Sequence, residues 1–310
     1  MKKQNVFFFI TSRCNKRCSY CFVSHENDCM IKSDIDNAMI NLPYNIYAEN
    51  VIYGGEPTLY PDIVNYLVDE LKKRNRNNIT IYSNGYNLGL LKELNDKNIQ
   101  IFINYDAYDK DIELIKDYDW IFTISPSNLN YSLNAHYIFK KNYKYPDFKI
   151  MHYYNKDSLF WNESTIEKLS NVIDEFILEY KSNLLKNNEN YMPYFIKDTL
   201  RRLIAYSTNN KLVHSCHTNI TFMPNGKTSS CYLCNHSDYK EICTDCSIKD
   251  ICSYNTLCYL DIPKDKQKYL CKIQNMLFEK VTNLNSELKN NITWQHIILS
   301  ICKGDFNGDM

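Results

Sequence analysis

A chain of 310 residues is long enough for one large α/β domain plus a smaller module, and so for a sizeable core. Lysine plus arginine equals aspartate plus glutamate at 36 each, and the charges are spread rather than blocked. Bulk electrostatics therefore single out no nucleic-acid partner and no membrane surface.

The apolar run near the start covers only Val6 to Ile10 before polar Thr11-Ser12-Arg13. A secretory segment needs about 7 to 15 apolar residues and a membrane span about 20. The expected location is cytoplasmic. In that reducing setting thirteen cysteines, an odd number, point to metal rather than to a disulfide framework. Four stand before residue 30, and nine fall between Cys216 and Cys302.

In chain order, residues 5 to 11 read as a buried strand, and residues 33 to 41 as a helix opened by Ser33 and Asp34. Residues 50 to 53 form a short strand ending at Gly54-Gly55-Glu56-Pro57. Residues 61 to 73 place Ile63, Tyr66, Leu67 and Leu71 at helical spacing. The cycle repeats with strands at 79–82, 100–104, 120–124 and 148–153 and helices at 88–94 and 109–116. Helical patterns follow at 163–185 and 195–206, with an Asn/Lys-rich linker at 182–190. The cysteine-rich stretch then leads into helices at about 264–290 and 293–303.

Short apolar strands alternating with helices imply βαβ units and a parallel sheet. Six units are fewer than a closed eight-unit barrel needs. The expectation is an α/β fold: a partial (β/α)6 TIM-like barrel over residues 1–190, a bridging segment at 191–213, a small cysteine-rich module at 214–275 and terminal helices at 276–310. In parallel α/β folds chemistry collects at the carboxyl ends of strands. The cysteine loop, Gly54-Gly55-Glu56-Pro57 and Ser83-Asn84-Gly85 all follow strands.

Cys14, Cys18 and Cys21 stand in a C-x3-C-x2-C spacing directly after the first strand. A structural zinc site closes with four protein ligands, and an iron-sulfur cubane normally takes four cysteines. A cubane held by three keeps one iron free for a substrate or cofactor. This spacing, with Tyr20 before the third cysteine, resembles the radical S-adenosylmethionine (SAM) enzymes. The resemblance implies a [4Fe-4S] cluster whose free iron is chelated by SAM, and reductive cleavage of SAM to a 5′-deoxyadenosyl radical. Gly54-Gly55-Glu56-Pro57 matches the family's GGEP motif, which binds the SAM amino group. Glycine there lets a backbone approach closely; taken alone, the pair also fits an ordinary strand-to-helix turn. The resemblance assigns polar SAM contacts to Ser83 and Asn84. Asn104-Tyr105-Asp106-Ala107 is similar to the family's Ser-x-Asp-Gly, so Asn104 and Asp106 are expected on the ribose side, with Asn for Ser and Ala for Gly as departures. Ser125 and His152 stand at the ends of later strands, where a packed barrel residue accounts for His152 better than a catalytic role.

A second pattern runs Cys216-x9-Gly226-x4-Cys231, then Cys243-x2-Cys246-x5-Cys252-x5-Cys258, and Cys271 after a gap. It resembles the SPASM extension of radical SAM enzymes, departing in the last spacing, five residues where the family has three. The resemblance implies two auxiliary iron-sulfur clusters. Cys216, Cys231 and Cys258 would hold the first, with Cys234 as a fourth ligand or the site left open. Cys243, Cys246, Cys252 and Cys271 would hold the second. The competing assignment is zinc on Cys231, Cys234, Cys243 and Cys246. Cys29 and Cys302 match no motif; a cysteine such as Cys29 or Cys234 near a radical could donate hydrogen.

The SPASM resemblance implies a peptide or protein substrate, an electron donor such as flavodoxin or ferredoxin, and ribosomal-peptide maturation by thioether or carbon-carbon crosslinking. Radical epimerisation is the alternative, and a non-catalytic zinc protein the alternative outside enzymes. Formylglycine formation of the sulfatase-maturase kind is disfavoured. That family's basic aspartate is replaced by Tyr232, whose phenol (pKa about 10) is a poor base at neutral pH. With little sequence before Val6, a leader peptide is expected on a separate binding protein or on the barrel edge.

Overall fold

The computed structural model describes residues 5–44, 48–107, 111–132, 146–151, 159–186, 192–208, 219–229, 252 and 262–307. The chain divides into two compact units, Met1–Ile121 with His214–Asp238, and Phe122–Val213 with Tyr239–Met310.

The first unit alternates strands and helices. Strand β1 (Val6–Phe9) leads to α1 (Lys32–Ile40), β2 (Asn50–Tyr53) to α2 (Pro61–Lys73), β3 (Ile79–Ser83) to α3 (Leu88–Asp96), then β4 (Gln100–Asn104) and β5 (Asp119–Ile124). The helix signals act as their chemistry dictates. Pro61 sits at the first helical position of α2, where its missing N–H costs nothing, and Lys72 and Lys73 lie in the last turn. Asn87 caps α3 by accepting from the N–H of Leu90 at 3.1 Å. Val64, Leu67, Val68 and Leu71 form the buried stripe of α2, and Leu90, Leu91 and Leu94 that of α3.

Parallel pairing joins β1 to β2, β2 to β3, β3 to β4 and β4 to β5. On the other side of β1 lie β7 (Ile220–Phe222), parallel to it, and β8 (Thr228–Ser229), antiparallel to β7. These two strands were not expected from the sequence. Three residues, Ile220-Thr221-Phe222, carry too little pattern to be read alone, yet Phe222 is buried and stacks on Phe8 at 5.5 Å. One sheet face carries Phe8, Ile52, Ile81, Ile101 and Ile103, all buried. The opposite face carries an aromatic tier, in which Phe9 is register-aligned with Tyr53, and Tyr82 with Phe102. Tyr82 and Phe102 stack at 5.2 Å.

Of the helix expected at 109–116, the described residues 111–116 form one 3-10 turn, Ile112–Leu114. Asp111 accepts from the N–H of Glu113 at 3.0 Å, a local bond that competes with helix propagation, and Leu114 points to solvent.

In the second unit β6 (Asp147–Ile150) lies alongside the end of β5, where Met151 N–H donates to Ile124 O at 2.8 Å. Helix α4 (Glu163–Leu185) is capped by Asn162, and α5 (Tyr194–Ser207), α6 (Lys264–Leu288) and α7 (Ile292–Asn307) follow. The expected linker at 182–190 is thus helical up to Leu185. Phe148, Phe176 and Phe195 form an edge-to-face chain that joins β6, α4 and α5, with centroids 4.7 and 5.8 Å apart. Trp161 is fully buried, and its indole N–H donates to Met151 O at 2.8 Å. On the surface, Lys272 pairs with Glu163, Lys181 with Glu287, and Lys280 with Asp174.

Candidate functional site

The cysteine loop is tied at its neck before it is tied anywhere else. Met30 N–H donates to Ile10 O at 2.7 Å and Ser12 N–H to Asp28 O at 3.1 Å, with Thr11 and Cys29 bridged antiparallel. The Thr11 hydroxyl donates to Asp28 O at 2.6 Å and accepts from Arg13 N–H at 3.0 Å, and Ser12 Oγ accepts from Asp28 N–H at 3.1 Å. Residues 13 to 27 are thereby closed into a compact excursion. Inside it Cys21 N–H donates to Cys18 O at 3.0 Å, and Arg17 donates to the carbonyls of Cys14 and Lys16 at 2.9 and 3.0 Å. Burial and Arg17 lower the pKa of His25, which favours the neutral ring, and its Nδ1 lies 3.2 Å from Arg17.

The Gly54-Gly55-Glu56 turn docks on this loop backbone to backbone. Gly55 N–H donates to Thr11 O at 2.6 Å and Glu56 N–H to Arg13 O at 2.8 Å. A Cβ on Gly54 would fall 2.5 Å from Thr11 O, and one on Gly55 would fall 2.1 Å from Arg13 O. Gly54 also has φ of +143°, in the range that favours glycine. The close approach that demands these glycines is therefore to the cysteine loop itself.

Glu56 is fully buried and joins a third loop to the first two. Its Oε1 accepts from Thr58 N–H at 3.0 Å, Thr58 Oγ1 at 2.5 Å and Ser83 Oγ at 2.8 Å. Its Oε2 accepts from the backbone N–H of Asn84 at 2.7 Å. Burial pushes the carboxyl pKa up, and these donors pull it back in part. The Asn84 side chain then returns to the cysteine loop. Its Nδ2 donates to Asn15 Oδ1 at 2.9 Å and lies 3.6 Å from Cys14 Sγ.

The three thiols and Asp106 share one electrostatic neighbourhood. The Cys18 thiol is pushed up to about 12, first by burial, then by Asp106, Cys21 and Cys14. Burial likewise raises Cys14 and Cys21. Asp106 lies in the 3-10 turn Tyr105–Ala107 directly after Asn104, the last residue of β4. Cys14, Cys18, Cys21, Tyr20, Gly54 to Pro57, Ser83, Asn84, Asn104 and Asp106 thus all stand at or just beyond the carboxyl ends of β1 to β4.

This donor set fits an iron-sulfur cluster open at one iron. Three thiols share one tied loop, and the buried Tyr20 hydroxyl and Asn84 Oδ1 have no hydrogen-bond partner among the described residues. Among the described residues no group of three or more His, Cys, Asp or Glu side chains forms a single-ion site. A cluster does not require one, because each thiolate meets its own iron.

Residues 8–154 match the family model of the Radical SAM superfamily. The solved structure of native anSMEcpe with bound AdoMet (SAM) is 17% identical over 93% of this chain and 100% of its own, at a TM-score of 0.67. Native anSMEcpe with bound AdoMet and the Cp18Cys peptide is 17% identical over 94% of this chain and 100% of its own, at 0.64. At that identity the likeness speaks for the fold, the partial (β/α)6 barrel expected from the sequence. A comparison with curated proteins gave no match.

The second cysteine set is seen only in part. Cys252 is buried and Cys271 lies on α6. Cys216, Cys231, Cys234, Cys243, Cys246 and Cys258, with Tyr232 and His152, fall outside the described residues. Cys29 is half-buried in the neck of the cysteine loop, its thiol donating to Met30 O at 3.3 Å. Ser125 is buried against Ser127 and Asn128. Among the described residues no helix is long and apolar enough to cross a membrane.

The residues that sequence reasoning missed are the ones that hold the loops: Thr11, Ser12, Asn15, Arg17, Asp28 and Thr58. Thr11-Ser12 directly before Arg13-Cys14 was the available signal, since short hydroxyl side chains bond nearby backbone in turns.

Proposed function

We propose that this protein is a radical SAM enzyme that modifies a peptide, with a ribosomal-peptide precursor as substrate and a thioether or carbon-carbon crosslink as product. The observation that carries the proposal is the three-thiol loop locked onto the GGEP turn through Gly55 and Glu56. When bound and reduced, the cluster supplies the electron that cleaves SAM to a 5′-deoxyadenosyl radical.

In this reading the chain's own residues do the holding. Cys14, Cys18 and Cys21 are the cluster ligands, with Tyr20 beside them. Gly54 to Pro57, Ser83 and Asn84 set the loop ends that face SAM, and Asn104 and Asp106 face its ribose. Glu56 fixes two of these loops at once, so the site is preorganised before a ligand arrives. The tier of Phe9, Tyr53, Tyr82 and Phe102 beneath the strand ends gives a water-poor surface for the reacting part of a substrate. Residues 1–190 form the radical SAM barrel, 191–213 bridge to a SPASM-type module at 214–275, and 276–310 supply terminal helices. Two auxiliary clusters on that module would pass on the electron released when the substrate radical closes a bond. An electron donor such as flavodoxin or ferredoxin completes the cycle.

Iron, sulfide and zinc content of anaerobically reconstituted protein tests this, with Cys14, Cys18 and Cys21 changed to Ala in parallel. The proposal expects about twelve irons, falling to about eight in the triple variant. Zinc in place of eight irons removes the auxiliary clusters and with them the support for crosslinking. Peptide mass then separates the chemistries. Crosslinking loses two hydrogens, whereas epimerisation leaves the mass unchanged in ordinary water and takes up solvent deuterium.

A further inference from the structure

Cys14 differs from its neighbours in what surrounds its sulfur. Two N–H groups converge on Cys14 Sγ: the backbone N–H of Lys16 at 3.4 Å and the side-chain amide of Asn84 at 3.6 Å. The second comes from a residue 70 positions away in sequence, so its arrival depends on tertiary structure alone. Asn84 is only 7% exposed. Its backbone is anchored by Glu56 at 2.7 Å, and its amide is anchored by Asn15 Oδ1 at 2.9 Å. A ligating Cys14 thiolate can only accept, which orients the Asn84 amide with its N–H toward the sulfur. Turned over, Asn84 would aim a carbonyl oxygen at a thiolate.

We propose that Asn84 is a positioning residue that raises the reduction potential of the three-cysteine cluster by donating an N–H to the Cys14 sulfur, and that Glu56 holds it in place to do so. The inference rests on the reading that Cys14, Cys18 and Cys21 hold a cluster. Adding one electron to a cluster increases negative charge on its sulfurs, and an N–H aimed at a ligating sulfur favours the more negative state. The donor residue is largely buried, so water competes with it and screens it less than at an exposed site. Asn15 separates this role from simple loop support, because it shares the Asn84 amide without offering an N–H to the sulfur in this contact.

The test is a mediator titration of anaerobically reconstituted full-length protein, read by electron paramagnetic resonance. The three-cysteine cluster is identified as the signal that changes when SAM is added. Asn84→Leu keeps size and neutrality but has no N–H, and a lower potential is expected at unchanged iron and sulfide content. Asn15→Ala, which loosens the amide but leaves its N–H and the Glu56 anchor of its backbone, is expected to shift the potential clearly less. An Asn84→Leu potential equal to that of the parent protein overturns the inference, as does an equal shift in Asn15→Ala. If Asn84→Leu assembles no cluster, the shorter Asn84→Ser is titrated instead. Loss of the cluster in both shows that Asn84 serves assembly rather than potential, which also overturns the inference. Failure of the underlying reading appears separately and earlier, as a parent protein whose iron content does not depend on Cys14, Cys18 and Cys21.

Discussion

Oε2 of Glu56 accepts the backbone N–H of Asn84 at 2.7 Å, which makes the loop after β2 and the loop after β3 a single hydrogen-bonded object. Among the described residues, the groups that bond the Glu56 carboxylate are neutral donors rather than cations. Glu56→Gln must turn an NH2 group toward at least one of those donors. The expected loss is about 1–3 kcal/mol of stability at pH 7, from one buried donor left unpaired. Urea denaturation measures it. The pH dependence has a definite sign. The folded-state pKa lies above the ordinary 4.5, so between 4.5 and the folded value the native state holds the extra proton. Stability contributed by Glu56 therefore falls as pH rises through that window, and the slope should vanish in Glu56→Gln.

Gly55→Ala places a methyl 2.1 Å from a backbone oxygen that cannot yield without opening the Arg13 contact. Overpacking of this kind costs about 1–3 kcal/mol, and more where backbone must shift. The variant should lose stability in urea and take up less iron on reconstitution. Gly89→Ala, whose new methyl would meet nothing closer than 3.5 Å in helix α3, is the matched control and should lose neither stability nor iron.

The Cys18 thiol, pushed up to about 12 by burial, Asp106 and the two neighbouring cysteines, stays protonated at neutral pH in metal-free protein. Iodoacetamide at pH 8 should alkylate it about tenfold or more slowly than an ordinary exposed cysteine, followed by peptide mass spectrometry. Asp106→Asn removes the second-largest cause of the shift and should speed the labelling. Ligation must displace these protons, so cluster assembly should release acid and improve with rising pH.

Tyr82 and Phe102 offer a test of the aromatic tier. Phe102→Ala should leave SAM cleavage running while peptide modification falls, a separation read by comparing 5′-deoxyadenosine with modified peptide. In the second unit Phe176 touches both Phe148 and Phe195 and is 1% exposed, so Phe176→Ala should cost about 3–5 kcal/mol in urea denaturation.

The alternating unit of the fold was legible because its signals are local. Asn50–Tyr53, Pro61–Lys73, Gln100–Asn104 and Glu163–Leu185 appear at the bounds that apolar spacing and caps imply. The strand β7 was not legible, since its three residues are held by register with β1 rather than by any pattern of their own. The segment after Tyr105 misled because Ile112, Leu114 and Ile115 imitate helical spacing while Asp111 captures the first free N–H. At the site, cysteine spacing and Gly-Gly marked the loops that the structure brings together after β1 and β2. They did not reveal that the glycines face Thr11 and Arg13, because a contact between loops so far apart in sequence leaves no mark on either loop alone.

The most direct measurement is 5′-deoxyadenosine formed from SAM by reconstituted, reduced protein under anaerobic conditions, without any peptide. The account predicts steady formation that disappears when Cys14, Cys18 and Cys21 are changed to Ala. Protein that carries iron and sulfide on those cysteines, binds SAM and still forms none under reduction would contradict it.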